Sequence, residues 1–201
     1  MSILANVAAV LLRNPLLILL LAAAWAADGA ALVVVERDFR ELVERAEVIV
    51  EGTVTRVEES PDASGVQRTL VTLSDLAVHK GADLGEEFVL DVVGGTKNGL
   101  RSAVLALPSF APGDRVILFV RGNGQAVFPV VGVHQGYFRV EQADDGEPRV
   151  MRCDGQPVLG REQRRLRFVP RSNSGVERAV TLDVFRSWIR DELQQLGGGV
   201  P

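Results

Sequence analysis

Cys153, His134 and His79 could carry covalent or metal chemistry, in a chain that holds one cysteine and two histidines. A thiol nucleophile needs a base within hydrogen-bond reach and a third group that orients the base. The set that can be written down is Cys153 with His134, oriented by Asp114 or Asp154, and its spacing matches no hydrolase signature. A zinc site would have to gather His79, His134, Cys153 and a carboxylate, with no local pair at the separation of a zinc motif. Asp144-Asp145-Gly146-Glu147 lacks the alternating ligands and distal glutamate of an EF-hand loop and is expected to be a solvated hairpin tip. Gly94-Gly95 and Gly122-Asn123-Gly124 are expected to be turns, because no helix start or phosphate-binding lysine follows in register. No cofactor and no metal is implied.

Charge gives one more candidate. Arg161, Arg164, Arg165, Arg167 and Arg171 stand against Glu162 alone within one short stretch. Guanidinium groups hold phosphate and carboxylate through paired hydrogen bonds, so this run is a candidate anion-binding segment; its bland counterpart is a solvated face paired with nearby acids. The whole chain of 201 residues carries a formal net charge of −4 and is 5% aromatic. Nucleic acid is not an expected partner, since neither a positive field nor a row of stacking rings is present. The expected partner is a protein or an envelope polymer.

The N-terminal segment bears on the compartment. Arg13 precedes the apolar run Leu16 to Ala24, and Ala24-Trp25-Ala26 supplies small residues at a cleavage position. That arrangement is a secretory signal peptide, cut after Ala26 or alternatively after Ala24. Left uncut, residues 1–26 hold the roughly 20 apolar residues that span a bilayer and would form an anchor, the only membrane attachment expected. Removing the segment takes away Arg13 and no acid, leaving 21 basic and 26 acidic groups, a net of −5. A lone cysteine in an oxidising compartment is expected to be buried and inert, or else to pair between chains.

The remaining sequence is expected to form one domain over residues 36–196. Phe39, Leu42, Val43 and Ala46 recur at helical spacing behind Asp38, a suitable N-cap. Val48 to Glu58 and Thr69 to Val78 read as strands, with a bulge or bend at Gly52 and a change of apolar parity at Leu76 and Val78. Ser60 to Gly65 is a loop by composition. Phe88 to Val93 reads as a third strand, and Thr96 to Phe110 as a long irregular loop. Val116-Ile117-Leu118-Phe119-Val120 is apolar on both faces and fits a central strand. The Asn-Gly pair in Gly122-Asn123-Gly124 predicts a hairpin with Ala126 to Val131 returning beside that strand, although Pro129 would break it or place it at an edge. A second hairpin joins Gly136–Glu141 to Arg149–Arg152. Arg161 to Asn173 is expected to be an exposed connection. Leu182, Phe185, Ile189, Leu193 and Leu196 lie on one stripe of a closing helix between Thr181 and Gly197, with Trp188 beside the stripe. That stripe packs on its own domain or docks a partner.

The fold class expected is mainly β: a small antiparallel OB-like barrel with a short N-terminal helix and a C-terminal amphipathic helix. Three segments carry a resemblance, Arg45 to Val54, Val78-His79-Lys80-Gly81 and Phe110 to Val120. Through them the chain resembles a family of exported bacterial proteins with an OB-fold barrel like that of tissue inhibitors of metalloproteinases and netrin modules. In those inhibitors, the resemblance would imply, an N-terminal cysteine chelates the protease zinc and disulfides hold the edge. Here the mature end would lie near Ala27 and Cys153 is the sole cysteine, so that mechanism does not carry over. The function expected is an exported, non-enzymatic binding or structural module; the alternatives are an envelope hydrolase using Cys153 and His134, and a membrane-tethered structural protein.

Overall fold

Apolar side chains alternating across one antiparallel sheet give this protein two hydrophobic layers, one under helices and one inside the curl of the sheet. A computed structural model describes residues 36–97, 100–102, 109–169 and 175–198, all within the compact unit Val34–Pro201. The expected signal segment, with Ala24 and Ala26, lies outside the described residues, as does Arg171. Among the described residues no helix is long and apolar enough to cross a membrane.

Helix α1 (Phe39–Arg45) begins with a capping box, in which the Asp38 carboxylate accepts from the Glu41 N–H and the Glu41 carboxylate accepts from the Asp38 N–H. Strands β1 (Val48–Pro61), β2 (Gln67–Lys80) and β3 (Phe88–Val93) follow, then the short pair β4 (Gly95–Lys97) and β5 (Leu100–Ser102). Next come β6 (Arg115–Val120), β7 (Tyr137–Gln142), β8 (Pro148–Arg152) and the hairpin β9 (Val158–Glu162) and β10 (Arg165–Phe168). Helices α2 (Gly175–Arg178) and α3 (Leu182–Gly197) close the chain. The main sheet has the order β3-β2-β1-β6-β7-β8, and its paired neighbours are antiparallel. The fold is therefore mainly β with a short first helix and a C-terminal helix.

The sheet is not closed, contrary to the barrel expected from sequence. β3 and β8 are its edges, and each is masked by other means than a strand. Asn123 uses its side-chain amide as a substitute strand: Nδ2 donates to the Val89 carbonyl (2.7 Å) and Oδ1 accepts from the Asp91 N–H (2.9 Å). On the other side the Val150 N–H donates to the Val180 carbonyl (3.0 Å), and Val180 in turn donates to Val158 of β9 (2.8 Å). Covered edges of this kind prevent strand addition by other chains.

Four further expectations are corrected. Ala126 to Val131 does not return as a strand: a single bridge joins Val120 to Val130, and the sheet neighbour of β6 is β7. The Gly122-Asn123-Gly124 turn instead delivers Asn123 to β3. Arg161 to Phe168 is not an irregular connection but belongs to the β9–β10 hairpin, where Arg161 and Leu166 are opposite one another. Part of the loop after Gly95 pairs as β4–β5. The loop at Ser60 is shorter than expected, since β1 runs to Pro61.

The bulges appear where the glycine and the parity change placed them. Pairing between β1 and β2 shifts between Glu51 and Thr53, opposite Ala77 and Ser74, and Asp75 takes a φ of 52°. A Cβ on Gly52 would stand 2.9 Å from both Leu76 Cδ2 and the Ser74 carbonyl oxygen, so the close strand approach requires glycine. Coiling of this long hairpin brings Val50, Val54, Val71, Leu73, Leu90 and Leu118 into one buried cluster. On the opposite face Ile49, Ile117, Phe119 and Phe138 meet Phe39 and Leu42 of α1 and Leu182, Phe185 and Ile189 of α3. The C-terminal stripe thus packs on its own domain. Lys80 at the end of β2 donates from Nζ to the carbonyls of Val43 and Glu44 and caps the C-terminal end of α1.

The carboxylate of Glu51 is buried in this helix-covered layer. Glu51 is 2% exposed and accepts from Arg115 of β6 (2.7 and 3.0 Å) and from Arg186 of α3 (2.9 and 3.0 Å). Burial works against its ionisation, but His79, Arg186 and Arg115 outweigh it and hold the carboxyl down at about 2, against an ordinary 4.5. His79 Nε2 stands 3.7 Å from Glu51 Oε2, too far for a hydrogen bond. A carboxyl depressed on folding stabilises the native state above its unfolded pKa and loses that contribution as pH falls toward the folded value. Denaturant unfolding followed across pH is expected to show a loss of about 3 kcal/mol from this carboxylate between about pH 4.5 and 2. Glu51→Gln should cost about 3 kcal/mol at pH 7 and show less of that acid dependence. Equal stability of the two proteins at pH 7 would contradict this account.

Candidate functional site

The thiol of Cys153 belongs to the inner cluster, 7% exposed among Val50, Leu118 and Tyr137. It donates to the main-chain carbonyl oxygen of His134 at 3.4 Å and not to the ring. Burial pushes its pKa up to about 11, with Asp154 adding to the shift. Both groups that could orient a histidine are engaged elsewhere. The Asp154 carboxylate is paired with the Arg152 guanidinium, and Asp114 accepts from the Ala111 N–H and faces Arg139 at 3.5 Å. The structure brings the Cys153 thiol to the main chain of His134 without assembling a nucleophile and its base. His79 lies at Glu51 on another part of the sheet, and among the described residues no group of three metal-ligating side chains occurs. Asp145 at the β7–β8 tip accepts from the Glu147 N–H and pairs with Arg149 (2.6 Å), the hairpin tip expected from its composition.

The arginine segment is divided by the β9–β10 hairpin. Arg161 points inward and donates to Glu192 Oε1 (2.8 Å); Glu192 is 3% exposed, and the guanidinium lies over the Trp188 and Phe39 rings at 5.6 and 5.9 Å. It is a packing residue. Arg164 sits in the hairpin turn, where its carbonyl accepts from the Phe39 N–H (2.7 Å) and so caps α1. Arg167 is exposed near Glu162 at 3.9 Å. Arg165 lines a cavity.

That cavity of about 300 Å³ lies between the hairpin, the start of α1 and the turn before β7. Its walls are Glu36, Arg37, His134, Gln135, Arg152 and Arg165, with Leu42, Leu166 and Phe168 as the apolar side. Arg152 is fixed twice, by the paired hydrogen bonds to Asp154 and by stacking with its guanidinium 4.7 Å from the Phe168 ring centre. The Gln135 side-chain oxygen accepts from the Arg37 N–H at 2.7 Å, which ties the turn to the start of α1. Burial and the charge of Arg152 lower the pKa of His134, so the imidazole is neutral at pH 7.

No protein family, characterised protein or solved structure matches this chain. The chemical case for a site therefore rests on this geometry. A volume of this size is at the lower end for small-molecule sites, and convergent polar groups against an apolar wall are their usual composition. Sequence reasoning singled out Arg165, and His134 with Gln135 beside it, but not Arg37, Arg152 or Phe168. Their one advance signal was Arg152 beside Cys153 and Asp154; nothing in spacing joins Arg37 to the hairpin.

The turn holding His134 is strained. Val133 has a φ of 67°, a rare conformation for a β-branched residue, and the His134 N–H donates across it to the Gly132 carbonyl (2.9 Å). Such strain costs about 1–3 kcal/mol. Val133→Gly is expected to raise Tm by about 2–4 °C, read by thermal unfolding; a lowered Tm would show that the valine side chain contributes more by packing than its backbone costs. For Cys153, a pKa near 11 leaves roughly one thiol in a thousand ionised at pH 8. An aromatic disulfide reagent should leave the native protein unlabelled at that pH and label one thiol in denaturant, whereas rapid native labelling would refute the buried assignment.

Proposed function

We propose that this protein is an exported, non-enzymatic binding module that holds an anionic group of an envelope polymer in the cavity beside the β9–β10 hairpin. The observation carrying this reading is the convergence of Arg37, Arg152 and Arg165 on one cavity with an apolar wall. Export is supported by Arg13, the apolar run Leu16 to Ala24 and the small residues at Ala24 and Ala26. The coiled, partly open antiparallel sheet supports an OB-like domain, an architecture that uses its face and loops to bind polymers. A binding role rather than a hydrolytic one is supported by the protonated, carbonyl-bonded thiol of Cys153.

The test is binding of the full-length protein to immobilised polygalacturonate, an acidic polysaccharide, and to its neutral methyl ester. Binding to the acidic form alone is expected, weakening as salt rises, with about tenfold loss for Arg165→Glu. Equal binding to the ester would overturn the reading. So would turnover of ester, peptide or glycoside substrates that disappears in Cys153→Ala or His134→Ala. Mass measurement of the protein recovered outside the cytoplasm tests the export segment: loss of residues 1–26 is expected, and retention would make it an anchor.

A further inference from the structure

The cavity's charges can be counted. Arg152 is neutralised by Asp154, with which it forms two hydrogen bonds. Arg37 has Glu41 Oε1 at 3.8 Å, an oxygen that Arg45 also approaches at 3.8 Å. Arg165 has no acid partner among the described residues, and Glu36 brings one carboxylate to the rim. The cavity's free positive charge is thus no more than about one unit, centred on Arg165 with Arg37 sharing. A guanidinium fork matches the planar pair of oxygens in a carboxylate. A second negative charge, as on a phosphate monoester, would meet Glu36 and Asp154 without a further free cation.

The opposite wall narrows the class again. Leu42, Leu166 and Phe168 line the cavity together with the arginines, and an apolar group set against them would be removed from water. His134 is neutral and adds a hydrogen-bonding group without adding charge. We infer that the anionic group this cavity takes is a single carboxylate, bound by Arg165 and Arg37, carried on an apolar group that lies against Leu42, Leu166 and Phe168. This rests on the cavity being the binding site and specifies what fits it.

Calorimetric titration of the full-length protein at pH 7 with 3-phenylpropionate, its neutral amide and phenyl phosphate tests the assignment. The carboxylate should bind, the amide at least about tenfold more weakly, and phenyl phosphate no more tightly than the carboxylate. Arg165→Met should weaken 3-phenylpropionate by about tenfold or more, Arg165→Lys should retain part of the binding, and Arg167→Met, outside the cavity, should leave it unchanged. Equal affinity for the amide, tighter binding of the phosphate, indifference to Arg165→Met, or no detectable binding of 3-phenylpropionate would each overturn the inference. If polygalacturonate still binds in an Arg165-dependent manner while 3-phenylpropionate does not, the apolar-body assignment falls and the anion site stands. Failure of both removes the cavity as the site.

Discussion

The Glu51 carboxylate, shared by Arg115 and Arg186, is the contact on which the arrangement of helix and sheet depends. It lies on the central strand β1, bonded to a neighbour in the sheet and to the first turns of α3. Burying a charge is costly unless geometry and hydrogen bonds compensate, and here two guanidinium groups supply four bonds to two oxygens. Apolar contacts alone would hold α3 on the sheet while leaving its rotation and slide poorly specified. The ion cluster selects one position, and in that position Phe185 meets Phe39 and Phe138, with ring centres 5.4 and 4.9 Å away.

The same helix fixes the hairpin that forms the cavity. Glu192, further along α3, receives Arg161 of β9, so the inward face of the hairpin is tied to the helix and its outward face is left with Arg165 and Arg167. The Arg164 carbonyl caps α1 from the hairpin turn, and the residues ahead of α1 supply Arg37 and Glu36 to the cavity. A chain of specific contacts therefore runs from β1 through α3 and β9–β10 to the cavity wall. The strained Val133 turn supplies the remaining wall, with His134 and Gln135.

Much of the fold was legible because it follows from periodicity. Val116 to Val120 had to lie in a strand covered on both faces, and α1 and α3 had to show one apolar face each. Closure was misjudged because the sheet edges are covered by groups with no periodic signature. Asn123 satisfies β3 with a side-chain amide, so the Asn-Gly pair that predicts a hairpin serves a long-range contact instead. The β9–β10 hairpin was missed for a related reason: Arg161 to Phe168 is short, turns through Gln163 at a φ of 56°, and has its apolar pattern interrupted by arginines.

Composition and local order determined the mainly β class, the two helices with their caps and the bulge at Gly52, because each depends on residues close in sequence or on simple counts. Only the tertiary structure decided which arginine lines the cavity, because orientation depends on partners that sequence distance hides: Glu192 turns Arg161 inward, Asp154 and Phe168 fix Arg152, and Arg165 is left at the cavity.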